Sequence, residues 1–242
     1  MKDLKRRLLE LEMTCLLLAG VFCLSREGAR MAGKISPGGP VVVIDAGHGG
    51  MDPGKVGVNQ AYEKDINLAI AQKLKEDLEA EEVQVVMSRE EDAGLYQESS
   101  SNKKLEDMKN RVLLIHEAQP DCAVSIHQNS YTEASVSGAQ VFYYEDSVEG
   151  KKLAEILQEK LSGVMEQESR REAKGNTSYY LLKKTDCPLT IVECGFLSNP
   201  REAELLTQED YQEKMAEAIC GGILEYLEQK GAFADSPAEE LP

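Results

Sequence analysis

Four residues of this chain have side chains suited to catalysis and stand at matching positions: His48, Glu63, His127 and Glu193. His48 follows Val41-Val42-Val43-Ile44-Asp45-Ala46-Gly47 and is followed by two more glycines. A branched apolar run this short reads as a buried strand rather than a helix. Gly-His-Gly-Gly lets the backbone turn tightly and leaves an imidazole at the carboxyl end of that strand, where open α/β sheets bind ligands. Alone, such a histidine reads as a satisfied turn residue. His127 and Glu193 change the balance, because each closes another predicted buried strand, at 122–126 and 189–192. Glu63 stands at the start of a helix, which a strand–loop–helix unit returns to the same edge. With the strands parallel and adjacent, all four side chains gather there. Two neutral imidazoles and a carboxylate are the ligand set of a catalytic zinc site with a fourth position open to water. An acid held off the metal can take that water's proton. His48, Glu63 and His127 are therefore expected to bind Zn2+, with Glu193 as the catalytic base.

The elements that must position these groups follow from periodicity. Ile66, Ile70, Leu74 and Leu78 mark the apolar face of the helix after Glu63, and 83–87 reads as a second strand, closing a right-handed β-α-β unit. Leu105, Met108, Val112 and Ile115 mark another helix, and 138–144 a loosely alternating strand. Leu153, Ile156, Leu157, Leu161 and Val164 line a further helix, 179–182 reads as a short strand, and two helices follow Pro200. This alternation predicts an α/β fold, a three-layer α/β/α domain with a mostly parallel central sheet.

The chain has 242 residues, enough for one domain and a tail, and a formal net charge of −16. Residues 1–34 are basic on balance, so the remainder is more acidic still. Such a domain is a poor partner for nucleic acid, where phosphate neutralisation supplies most of the affinity. Lys2, Lys5, Arg6 and Arg7 precede an apolar run over 13–24. That run is short of the roughly 20 residues a membrane-spanning helix needs and suits a secretory signal. The alternative is an amphipathic helix on a cytoplasmic protein. The expected organisation is an export signal or short N-terminal anchor with linker at 1–34, a catalytic domain at 35–230 and a flexible tail at 231–242.

Other candidates carry less. His116 ends a helix pattern, where it complements the helix dipole. Arg89 and Arg111 suit either a bound carboxylate or a structural ion pair. Asp45 reads equally as an acceptor for a ligand imidazole N–H or as the capped end of a strand. Asn129 reads as loop structure or as a substrate contact. The six cysteines form no Cys-x-x-Cys pair, and Cys194 should point away from Glu193 into packing. The glycine loop after His48 lacks the Lys-Ser/Thr of a P-loop, and no His-Glu-x-x-His helix is present.

The segments IDAGHGGMDPG, YEKDINLAIAQKL, SIHQNS and IVECGFLSNPREAELL, with LEDMKNRVLLI and SGAQVFYY between them, resemble the zinc-dependent N-acetylmuramoyl-L-alanine amidases of the type-3 family, most of all the spore-cortex, germination-specific branch. The resemblance runs from about residue 41 to 227. It implies hydrolysis of the amide between N-acetylmuramic acid and L-alanine in peptidoglycan, with zinc on His48, Glu63 and His127 and catalysis by Glu193. It also implies export to the cell wall or forespore intermembrane space and a part in cortex maturation before muramic-δ-lactam forms. Ala46 stands where many members have proline, and Gln128 where a smaller or apolar residue is common. The expected partner is a peptidoglycan glycan strand bearing stem peptides, with a regulatory protein as a further partner. The alternatives are a vegetative wall amidase, another zinc hydrolase of the same polymer, or a catalytically idle wall-binding module. Since septal members insert an occluding helix between the positions of His127 and Glu193, and this interval is short, an open groove is expected.

Overall fold

The computed structural model describes residues 39–164 and 171–233. The expected export segment, and the tail beyond residue 233, lie outside the described residues. Six strands, β1 (Val41–Ala46), β2 (Gln84–Met87), β3 (Cys122–Asn129), β4 (Gln140–Tyr144), β5 (Lys174–Asn176) and β6 (Leu189–Phe196), form one sheet in the order β2-β1-β3-β6-β4-β5. The first four in that order are mutually parallel. β4 runs antiparallel to β6, and β5 parallel to β4. The sheet is therefore mixed, with its parallel half carrying β1, β3 and β6 side by side as the sequence requires.

Side chains alternate across the strands, and the alternation builds two cores. Val42, Ile44, Val124 and Val192 face one side, where α1 (Glu63–Ala80), α3 (Val148–Val164) and α6 (Glu209–Lys230) cover them. Ile66, Ile70, Leu74 and Leu78 of α1 are all buried there, one turn apart. Val43, Ala123 and Ile191 face the other side, beneath α2 (Lys103–Ala118) and α4 (Tyr180–Lys184). α5 (Pro200–Leu205) links β6 to α6 and is capped by Asn199, whose side chain accepts from the Arg201 and Glu202 N–H groups. Three layers result.

Two expectations are corrected. Residues 179–182 are not a strand: Asn176 Oδ1 accepts from the Ser178 and Tyr179 N–H groups and turns the chain into α4. A short apolar run does not by itself distinguish the two forms, and the strand here is 174–176 instead. β3 and β6 also continue past residues 126 and 192, to Asn129 and Phe196, so His127 and Glu193 lie within their strands rather than at the ends. Among the described residues, no helix is long and apolar enough to cross a membrane.

Candidate metal centre

The turn after β1 is held open by groups it does not itself contain. His48 adopts a left-handed backbone conformation, φ 61°, which a non-glycine residue keeps only when its surroundings over-determine it. Here they do. Arg111, on α2, donates to the Ala46 and His48 carbonyls at 2.9 and 2.7 Å and to Asp45 Oδ1 at 2.5 Å. Arg89 donates to the Ala46 and Gly47 carbonyls at 3.0 and 3.1 Å, and Asn67 Nδ2 adds a second bond to Gly47 at 3.1 Å. Both guanidiniums are buried and hold the turn, the structural one of the two roles their sequence suggested, although Arg111 also lines the cleft. Gly47 serves its neighbour, since a Cβ there would collide with the His127 ring.

The carbonyl clamp leaves the His48 ring facing Glu63 and His127. His48 Nε2 lies 3.2 Å from Glu63 Oε1, and His127 Nδ1 lies 3.0 Å from the same oxygen. One donor atom from each of the three falls within 4.8 Å of the others, the geometry of a group that can hold a metal ion. Glu63 is the first residue of α1 and is buried. Lys55 and Glu63 bind one another twice: the Glu63 N–H donates to the Lys55 carbonyl at 2.9 Å, and the Lys55 N–H donates to Glu63 Oε2 at 2.7 Å. The Gln128 N–H donates to Oε1 at 3.1 Å. Burial pushes the Glu63 carboxyl up, but the two imidazoles outweigh it and hold it well below the usual carboxylate range.

Glu193 sits opposite His127 in the parallel β3–β6 ladder. It is buried, lines the same cleft as His48 and His127, and its Oε2 has no hydrogen-bond partner within the protein. Burial, reinforced by the nearby Glu63 charge and opposed by the two histidines, pushes its carboxyl up to about 7. The cleft measures about 200 Å³ and runs from these residues between Tyr96, Met108 and Tyr179. His48 and His127 are each 22% exposed in it. Of the helices between His127 and Glu193, α3 packs on β4 and α6, while Tyr180 and Leu181 of α4 line the cleft together with Lys104, Asp107 and Met108 of α2.

A profile of the N-acetylmuramoyl-L-alanine amidase family matches residues 42–225. The chain belongs to that family. It is 39% identical to the germination-specific N-acetylmuramoyl-L-alanine amidase of Bacillus subtilis over 80% of this chain and 82% of that one. Among solved structures it resembles the CwlD amidase of Clostridioides difficile, in complex with the GerS lipoprotein, at 42% identity and a TM-score of 0.76, over 78% of this chain and 99% of that one. It also resembles the catalytic domain of the CwlV amidase of Bacillus (Paenibacillus) polymyxa var. colistinus, at 32% identity and a TM-score of 0.69, over 78% and 98%. The family match covers every residue of the cluster, from His48 to Glu193.

Around that cluster the amidase has one group that sequence reasoning missed. Asp52 Oδ2 lies 3.0 Å from His48 Nδ1, so Asp52, and not Asp45, is the acceptor that orients a cluster imidazole. Asp45 is instead buried against Arg111 and Ser125. The signal for Asp52 was an acid four residues past the histidine, in a glycine-rich loop whose Gly49 and Asp52 pair backbone to backbone. His116 is remote from the cluster and meets the Lys184 carbonyl at 3.1 Å. Cys194 is fully buried on the opposite face from Glu193, and burial pushes its thiol up to about 12, which removes it as a nucleophile. Among the described residues the four cysteines are all free thiols.

Proposed function

We propose that this amidase cleaves the bond between N-acetylmuramic acid and L-alanine in peptidoglycan with zinc held by His48, Glu63 and His127 and with Glu193 as general base. The observation that carries the reading is the unpartnered, buried Glu193 oxygen in the cleft beside two imidazoles and a carboxylate. The donor set, two imidazole nitrogens and one carboxylate oxygen, fits zinc. When bound, zinc supplies a Lewis acid for the scissile carbonyl and lowers the pKa of water from about 15.7 towards 7. Glu193 takes the proton of the attacking water and passes it to the alanine nitrogen, which leaves as an amine while the lactyl carbon keeps the water oxygen. Burial, which raises the Glu193 carboxyl, favours its holding a proton between the two transfers. Asp52 holds His48 Nδ1, and Tyr179 and Met108 wall the approach to Glu193.

Substitution Glu193→Gln tests the division of roles. It is expected to retain zinc and to lose activity by about 10²- to 10⁴-fold, read as free L-alanine amino termini released from purified peptidoglycan. Loss of metal on that substitution would overturn it.

The biological setting follows the relatives. The germination-specific amidase and CwlD point to spore cortex, where peptide removal precedes muramic-δ-lactam. Muropeptides from spores lacking the gene should contain less of the lactam. Similarity to cell-wall amidases supports export across the cytoplasmic membrane, and the CwlD–lipoprotein complex supports a regulatory protein partner.

A further inference from the structure

β6 is irregular immediately beyond Glu193. Glu193 pairs with His127, but the next pairing joins Phe196 to Asn129, so β6 spends one residue more than β3 over the same interval. Such a bulge bends its strand and re-aims the side chains beside it. On the other flank, β4 pairs with β6 only from Gln140 onward, and Gln140 is the partner of Glu193 itself. Past that point β6 has no ladder on the β4 side, and the Phe196 and Gly138 N–H groups would lack acceptors.

One side chain satisfies both. Glu202, on α5, accepts from the Phe196 N–H through Oε2 and from the Gly138 N–H through Oε1, each at 2.7 Å. It is 4% exposed. Gly195 leaves room for the approach, since a Cβ there would stand 3.3 Å from Glu202 Oε2 and 3.2 Å from Leu206 Cδ1, tighter than ordinary contact. Arg171 secures the neighbouring backbone: its Nε donates to the Ser137 carbonyl at 2.8 Å, and its guanidinium lies 4.9 Å from the Phe196 ring centroid.

We propose that Glu202 is a positioning residue for catalysis: by holding Phe196 and Gly138 it fixes the bulge that aims Glu193 into the cleft. Both anchors lie within three residues of Glu193 or of its partner Gln140. Burying a carboxylate is costly unless its oxygens are used, and here one is spent on the strand that carries Glu193 and the other on the residue two before Gln140, its partner in β4. The inference rests on Glu193 acting as the base, and the experiment keeps the two apart.

Full-length Glu202→Gln, Glu193→Gln and Ile223→Val proteins are assayed, loaded with zinc, on a soluble muramoyl-peptide. Glutamine keeps one acceptor oxygen and turns a donor on the other N–H. Glu202→Gln is expected to lower kcat about tenfold to a hundredfold, as for a misplaced catalytic group, with KM and zinc content unchanged. Ile223→Val, a core change in α6 with a comparable loss of stability, should leave kcat alone. Should Glu202→Gln not fold, Gly195→Ala presses a methyl on the same carboxylate and is expected to give the same split. A folded Glu202→Gln or Gly195→Ala enzyme with wild-type kcat overturns the proposal, as does a fall in kcat matched by Ile223→Val. Retained activity in Glu193→Gln instead overturns the base assignment.

Discussion

Asp52 decides which nitrogen of His48 is available. With Nδ1 committed to the Asp52 carboxylate at 3.0 Å, Nε2 is the atom turned to Glu63. Outer partners of this kind fix the ring and raise its basicity, and their loss costs about 10- to 100-fold in metal affinity. Asp52→Asn is therefore expected to weaken zinc binding by about that factor, measured by competition with a chromogenic chelator, and to recover activity in excess zinc. The four principal residues were legible because each borders a strongly patterned strand or helix, so position alone placed them together. Asp52 was not, because its place depends on a loop folding back through the Gly49–Asp52 backbone pair. Asp45 was the more conspicuous acid, but it is directed to Arg111 and Ser125.

At the scale of elements, the turn after β1 is governed from α2. Arg111 is a buried cation in a helix whose sequence reads as an apolar stripe, and that stripe is only partly realised: Ile115 is buried while Leu105 is 43% exposed. Helix periodicity marks which residues share a face and is silent on a buried arginine among them. The full burial of Ile66, Ile70, Leu74 and Leu78 in α1 shows the same rule working, because this face of α1 packs on the sheet and beside α6. The short apolar run at 179–182 went the other way, its form set by the Asn176 turn before it. Arg111→Met leaves Asp45 buried without its cation, removes the donor to the His48 carbonyl and leaves the Ala46 carbonyl to Arg89 alone. It is expected to cost about 3–5 kcal/mol in urea unfolding, and to reduce zinc retention because His48 loses its backbone clamp. Arg111→Lys should rescue little, as an ammonium cannot reproduce a guanidinium fork that donates to Asp45, Asp107 and two carbonyls.

For the whole molecule, the same buried pair sets the response to acid. Burial raises the Asp45 carboxyl, but Arg111 and Ser125 outweigh burial and hold it at about 2, against about 3.9 in an unfolded chain. A depressed folded pKa stabilises the protein above the unfolded value and ceases to do so as pH falls through the folded one. The expected loss is about 2 kcal/mol between roughly pH 4 and pH 2, seen as a falling unfolding midpoint whose slope in that window flattens in Asp45→Asn. Zinc acts in the opposite sense. A ligand bound only by the folded state adds stability with the logarithm of its concentration, so chelation should lower the melting temperature and each tenfold of free zinc above its dissociation constant should restore about 1.4 kcal/mol.

His48, Glu63, His127 and Glu193 come from the turn after β1, from α1, from β3 and from β6, and these strands are brought side by side only by crossovers through the intervening chain. No contiguous fragment contains the whole set without most of the domain. Until β6 is made and takes its place beside β3, a growing chain holds the two histidines and Glu63 without Glu193, so the acid arrives last and cleaving power waits on the sheet.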